Sequence, residues 1–148
     1  MKKFTFSLNA VKGYKEKLLE NIKIEYSAIA QSILKQEKLI RGLEETEYLV
    51  NSELNDKNSK GISPHELVNY QRYLKVLQND IKLEYERLFR LKLAEEAKRK
   101  ELVEMKKETA SFEKLEEKKH KEYDEMARKE NEIFIEEFIS NQRCTERP

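Results

Sequence analysis

Two histidines, one cysteine and a dense population of carboxylates are the residues that could do chemistry in this chain, and their spacing gives them little to do. His120 has Glu116 and Asp124 one helical turn away on either side, so three potential metal ligands share a helix face. Structural metal sites take four protein ligands and catalytic sites three with supporting hydrogen bonds, so a solvated histidine on a charged face is the expectation. His65 falls in the first turn of a helix and carries no special role. Cys144 is the single cysteine, sits in a polar tail without an activating base, and cannot form an internal disulfide; a reducing cytoplasm is expected. There is no Gly-rich phosphate loop, no Cys pair and no nucleophile elbow. The expectation is a chain with no catalytic residues, no metal and no cofactor. It is not read as an enzyme.

The elements that would position such residues point the same way. Across 148 residues there are three Gly and two Pro, so almost nothing interrupts a helical pattern. Charged residues make up 40% and apolar residues 38%, a balance typical of long helices and coiled coils. Periodic Leu, Ile, Val and Tyr argue against disorder, the competing reading of so many charges. Lys plus Arg number 30 and Asp plus Glu 29, giving a net charge of +1. Nucleic-acid binding wants a broad basic face, whereas acids and bases alternate closely from Lys114 to Lys129, so no nucleic-acid partner is expected. The N-terminal Lys2-Lys3 is followed too soon by further charges for a secretory signal, and no window approaches the ~20 apolar residues of a membrane span.

The spacing predicts an all-α fold: a long two-helix antiparallel coiled-coil hairpin with unequal arms, rod-shaped, as one domain over 1–148. Helix one is expected over about 7–54, with Ser7 as N-cap and Phe6 stapled to Val11. Its stripe runs through Leu8, Val11, Leu18, Ile22, Tyr26, Ile29, Ile33, Ile40, Leu43, Val50 and Leu54, with Lys15, Gln36 and Glu47 at skipped positions. Gln36 is either a register pin or a tolerated imperfection at a solvated edge. A polar turn is expected over 55–63. Ser63, Pro64 and Glu66 then form a capping box that opens helix two over about 64–140, with a polar tail at 141–148.

Helix two carries Leu67, Tyr70, Leu74, Leu77, Ile81, Leu88, Leu91, Leu102, Met105, Phe112, Tyr123, Met126 and Ile133 on one seam, weakened by Glu84, Glu95, Lys98, Thr109, Glu116, Lys119 and Glu130. Pairing from such a turn exhausts helix one near Ala110 and leaves roughly thirty helical residues uncovered. Phe112, Leu115, Tyr123, Met126, Ile133, Phe134, Ile135, Phe138 and Ile139 lie in that overhang. They read either as anchors for a groove on another protein, or as a self-contact or frayed end.

The opening Lys3-Phe4-Thr5-Phe6-Ser7-Leu8-Asn9-Ala10-Val11 followed by Tyr14-Lys15-Glu16 resembles the start of the flagellar export protein FliJ family. Glu47-Tyr48, Gly61-Ile62-Ser63, Asn69-Tyr70-Gln71-Arg72-Tyr73 and Leu77 resemble that family's hairpin corner. Glu113-Lys114-Leu115 to Glu122-Tyr123, then Glu130 and Glu136-Glu137-Phe138, resemble its C-terminal run. The resemblance implies a non-enzymatic component of the bacterial flagellar type III export apparatus, needed for flagellum assembly and motility. Such a chain would be cytoplasmic and peripherally associated with the inner membrane at the flagellar basal body.

The same resemblance implies a stalk, similar to the central stalk of rotary ATPases, that binds and promotes the hexameric flagellar export ATPase. It also implies contact with the export-gate membrane protein FlhA and handling of export chaperones. Carried over residue by residue, it implies a gate-contacting surface at Tyr48, Tyr73, Leu77, Asp80 and Glu84, although Tyr70 and Leu77 also fit plain core packing. It implies an ATPase-facing set at Leu8, Val11, Phe112, Tyr123, Met126, Ile133 and Phe134. The stalk of an injectisome and a stand-alone holdase chaperone are the alternatives.

Overall fold

Helix formation runs through nearly every residue whose sequence permits it. The computed structural model describes residues 2–146 and contains two α-helices, α1 (Asn9–Lys60) and α2 (Pro64–Thr145), joined by three residues. The two helices pack on each other as an all-α hairpin. The described parts of the chain gather into two compact units, one from Asn21 to Leu102 and the other from 1–20 with 103–148.

In the unit around the corner, Gly61 is the residue that stops α1. Its φ of 98° is a left-handed conformation that glycine adopts without a Cβ penalty. Ser63 then caps α2: the Glu66 amide donates to Ser63 Oγ at 3.2 Å, and the Leu67 amide to the Ser63 carbonyl at 3.1 Å. The polar stretch expected as a turn over 55–63 is helical as far as Lys60. Asn, Asp and Ser are weak helix formers but not breakers, and Lys is a good helix former. Here Lys57 and Lys60 also oppose the negative end of the helix dipole and pair with Glu53 and Asp56 one turn back. Lys57 further sits over the Tyr70 ring, 5.1 Å from its centre.

The core of this unit is a narrow seam. Ile33, Ile40 and Leu88 form its buried cluster, with Ile29 and Leu91 packed against them. Leu54, Leu74, Leu77 and Ile81 are buried nearer the corner. Each such side chain contributes roughly 1.5–3 kcal/mol relative to exposure. Polar residues at seam positions find partners across the pair. Gln36 Nε2 donates to the Glu84 carbonyl at 3.0 Å and to its carboxylate, Gln78 donates to Glu47 at 3.4 Å, and Lys98 bridges Glu25 and Glu101. Gln36 therefore acts as a register pin, because a slip by one heptad would leave Glu84 half-buried without it.

In the other unit, α1 begins at Asn9, one residue later than a cap at Ser7 would place it; the Asn9 amide donates to the Phe6 carbonyl at 3.1 Å. Lys15 pairs with Glu108 at 3.0 Å and Lys12 with Glu116, so α1 remains paired past Ala110. Thr109 is 6% exposed, its hydroxyl bonded to the Met105 carbonyl one turn back. Beyond α1 the non-helical arm Lys2–Leu8 continues along α2. The Phe4 ring meets His120 edge-on at 4.7 Å and Tyr123 at 5.4 Å, and the Tyr123 hydroxyl donates to the Lys2 carbonyl.

The uncovered part of α2 thus starts later than the sequence suggests, because the corner is tighter and the arm adds cover. The residues expected as a tail from 141 are helical to Thr145, while Arg147 and Pro148 lie outside the described residues.

Replacing Ser63 with Ala is expected to destabilise the chain by about 1 kcal/mol, read as a lower urea midpoint at unchanged slope. Gln36→Leu, which leaves the Glu84 carboxylate half-buried without Gln36, is expected to cost about 1–3 kcal/mol. Adding Glu84→Leu should recover stability while loosening register, seen as broadened amide resonances along the seam.

Hydrogen bonds from Lys98 to Glu25 and then Glu101 hold its ammonium above the ordinary lysine value of 10.5. A raised folded-state value means that this contribution is complete below about 10.5 and is lost as pH climbs through the raised value. The thermal midpoint should therefore fall more steeply above pH 10.5 in the wild type than in Lys98→Met.

Candidate interaction surfaces

A pair of helices packed along one seam leaves most side chains at the surface, and here the surface holds the chemistry. Among the described residues no group of three or more His, Cys, Asp or Glu could hold a metal ion. His120 Nδ1 lies 3.0 Å from Asp124 in an exposed pair, and Cys144 is exposed. The hollow of about 360 Å³ between the arm and α2 is lined by Phe4, Phe6, Tyr123 and Met126 with Lys2, Lys3, Lys119 and Glu122 on its rim. It offers contact area and carries no nucleophile with an adjacent base.

The residues expected to meet an export gate do not form one surface. Tyr48 is 71% exposed, and Tyr73 and Asp80 are also exposed. Leu77 is 5% exposed and belongs to the seam. Glu84 is half-buried, bonded to Gln36 and, at 2.7 Å, to Arg87. Tyr48 follows Glu44 by one turn, on the edge where Glu44 accepts from Tyr85 and Glu37 meets Lys92 at 3.9 Å. By helical register Tyr73 and Asp80 occupy the opposite edge.

The second set separates as well. Phe112 is half-buried in the pairing, and Tyr123 is half-buried beneath Phe4. Leu8 and Val11 are partly open where α1 begins. Met126, Ile133 and Phe134 are exposed, Phe134 to 68%, and they are joined by Ile135, Phe138 and Ile139. Every residue from 131 to 146 is exposed.

Sequence reasoning missed a further apolar stripe. Leu39, Gly42, Thr46 and Leu49 on α1, and Tyr73, Val76, Asp80 and Leu83 on α2, each repeat at three- and four-residue spacing beside the seam; the five large apolar residues among them are exposed. That spacing was legible, but it was hidden behind the stronger stripe next to it. Tyr85, Phe89 and Leu93 are exposed on the other side of α2.

Among the described residues, no helix is long and apolar enough to cross a membrane. No curated protein and no solved structure matches the chain. The family model described as "Flagellar FliJ protein" matches residues 4–142. That match takes in the aromatic arm, both helices, the capped corner and most of the exposed end of α2. The chain therefore belongs to the flagellar FliJ protein family, whose members are components of flagellar protein export.

Proposed function

We propose that this chain is a non-enzymatic stalk and adaptor that binds the hexameric flagellar export ATPase, promotes its assembly and turnover, and links it to the export gate and export chaperones. The observation that carries this reading is the run of exposed apolar side chains on α2 beyond the arm, including Ile133, Phe134 and Phe138. A helix presenting such anchors gains free energy by entering a groove, and a ring of six subunits provides one at its centre. Leu8, Val11 and Met126 extend the same contact, while Phe112 and Tyr123 hold the pairing beneath it.

The gate protein FlhA would meet the edge that carries Tyr73 and Asp80, with Leu77 and Glu84 acting from within the seam to fix their spacing and Tyr48 outside that contact on the opposite edge. The work is binding, done in the cytoplasm at the membrane-bound basal body, with no nucleic acid involved.

Steady-state hydrolysis by the cognate export ATPase, measured with and without this chain alongside sizing, tests the proposal. Stimulated turnover with a shift from monomers to hexamers is expected. Phe134→Ala/Phe138→Ala should weaken the stimulation about tenfold or more, as loss of paired aromatic anchors does elsewhere. Unchanged turnover and unchanged ring size would remove the ATPase role and favour a holdase that protects unfolded chains.

A further inference from the structure

The arm at 2–8 is fastened more lightly than the helix it leads into. Ser7 and Leu8 form a turn, tied to α1 by the Asn9 amide on the Phe6 carbonyl and the Lys12 amide on the Leu8 carbonyl. Ahead of that turn, residues 2–6 belong to no helix or strand. Phe4 is their anchor, edge-on to His120 and tilted against Tyr123, and the Tyr123 hydroxyl donates to the Lys2 carbonyl. The closure is loose, since a hollow of about 360 Å³ lies between the arm and α2. A gap of that size forfeits dispersion contacts that a flush fit would make.

The start of α1 does not depend on the arm. Its first turns are tied to α2 by Lys12 with Glu116 and Lys15 with Glu108. In an antiparallel pair, the step from Lys12 back to Asn9 reaches Lys119 on α2. Tyr123 lies one turn beyond that, past the reach of α1, and what covers it is the arm. Tyr123 is half-buried, whereas Met126 and Ile133 follow it on the same helical face and are exposed. With the arm lifted, Tyr123 joins Met126 and Ile133 in one apolar face. With the arm down, that face is cut short at its inner end. The movement alters neither helix, because it turns about Ser7 and Leu8.

We infer that residues 2–6 form a strap that opens about the Ser7–Leu8 turn, and that in its closed position it withholds Tyr123 from the partner of the α2 end. The identity of that partner, the hexameric export ATPase, rests on the reading above; the strap itself does not. Phe4 and an incoming groove compete for one side of α2, because both need the Tyr123 ring. A partner that takes only the open form binds with an affinity reduced by the fraction of molecules that are open. The strap thereby sets the strength of the contact without touching Ile133, Phe134 or Phe138. Its opening exposes little surface and is separate from unfolding of the hairpin.

Two measurements on the full chain supply the test. In the first, nitration of Tyr123 by tetranitromethane is followed by peptide mass spectrometry, with the exposed Tyr48 as reference. Phe4→Ser is expected to raise the Tyr123 rate severalfold relative to Tyr48, at unchanged far-UV circular dichroism. In the wild type, urea well below the unfolding midpoint should leave that rate nearly constant, as local opening requires. An equal rate in Phe4→Ser, or reactivity that arises only with global unfolding, would overturn the strap. In the second, binding to the cognate export ATPase is titrated. Phe4→Ser is expected to bind about tenfold more tightly than the wild type, matching a strap open in about one molecule in ten. Equal or weaker binding would also overturn the inference, since the arm would then be neutral or part of the contact. If neither chain binds, the export reading fails and the Tyr123 rates alone decide the strap. Should Phe4→Ser lose helix signal, Tyr123→Phe, which removes only the hydroxyl bonded to Lys2, serves in its place. It is expected to tighten ATPase binding severalfold, and unchanged binding would equally overturn the inference.

Discussion

Two helices that face only each other can shield one stripe apiece, and the seam between them has to supply both cohesion and register. Apolar residues supply the cohesion, through the Ile33, Ile40 and Leu88 cluster and the Leu74–Leu77–Ile81 run. They cannot supply register, because one heptad of leucines resembles the next. Register comes from polar groups that find partners across the pair: Gln36 with Glu84, Glu47 with Gln78, Lys98 with Glu25, Lys15 with Glu108 and Lys12 with Glu116. Residues that look like defects in the heptad pattern are what align the two helices.

With the seam so narrow, the remaining apolar residues are placed outside it with nothing intramolecular to cover them. That arrangement is poor for stability and suited to binding. The exposed side chains are sorted by edge. In the unit around the corner, Tyr48, Tyr85 and Phe89 stand away from the Leu39–Leu49/Tyr73–Leu83 stripe. Distinct chemistries on distinct faces allow one helical hairpin to hold more than one partner.

Much of this fold was legible in the sequence because heptad spacing maps directly onto a two-helix seam. Residues read as seam positions from Leu67 to Phe112 are buried or half-buried, the polar ones included. The corner was harder to read: Asn55–Lys60 has turn-like composition, yet only Gly61 needs a conformation that a helix refuses. The arm was invisible to periodicity because it has none; its docking depends on where Phe4 meets Tyr123 across more than a hundred residues of chain. For the contact surfaces, family likeness pointed to positions such as Leu77 and Glu84 that the seam has already claimed. Surface stripes such as Tyr73–Leu83 emerge once the primary stripe has been subtracted.

The arm also bears on the order in which the molecule assembles itself. A polar link close to the corner, Tyr70 to Glu53, joins residues 17 apart in sequence. Gln36 and Glu84 are 48 apart, Lys12 and Glu116 are 104 apart, and Tyr123 and Lys2 are 121 apart. Closing a loop costs more entropy as the loop lengthens, so contacts near Gly61 form first and each shortens the loop left for the next. The hairpin zips shut from its corner, and the arm is the last tooth. On a ribosome, Phe4 is made more than a hundred residues before Tyr123, so it waits through all of that synthesis before its place on α2 exists. For the same reason it is the first contact to open when the chain begins to unzip.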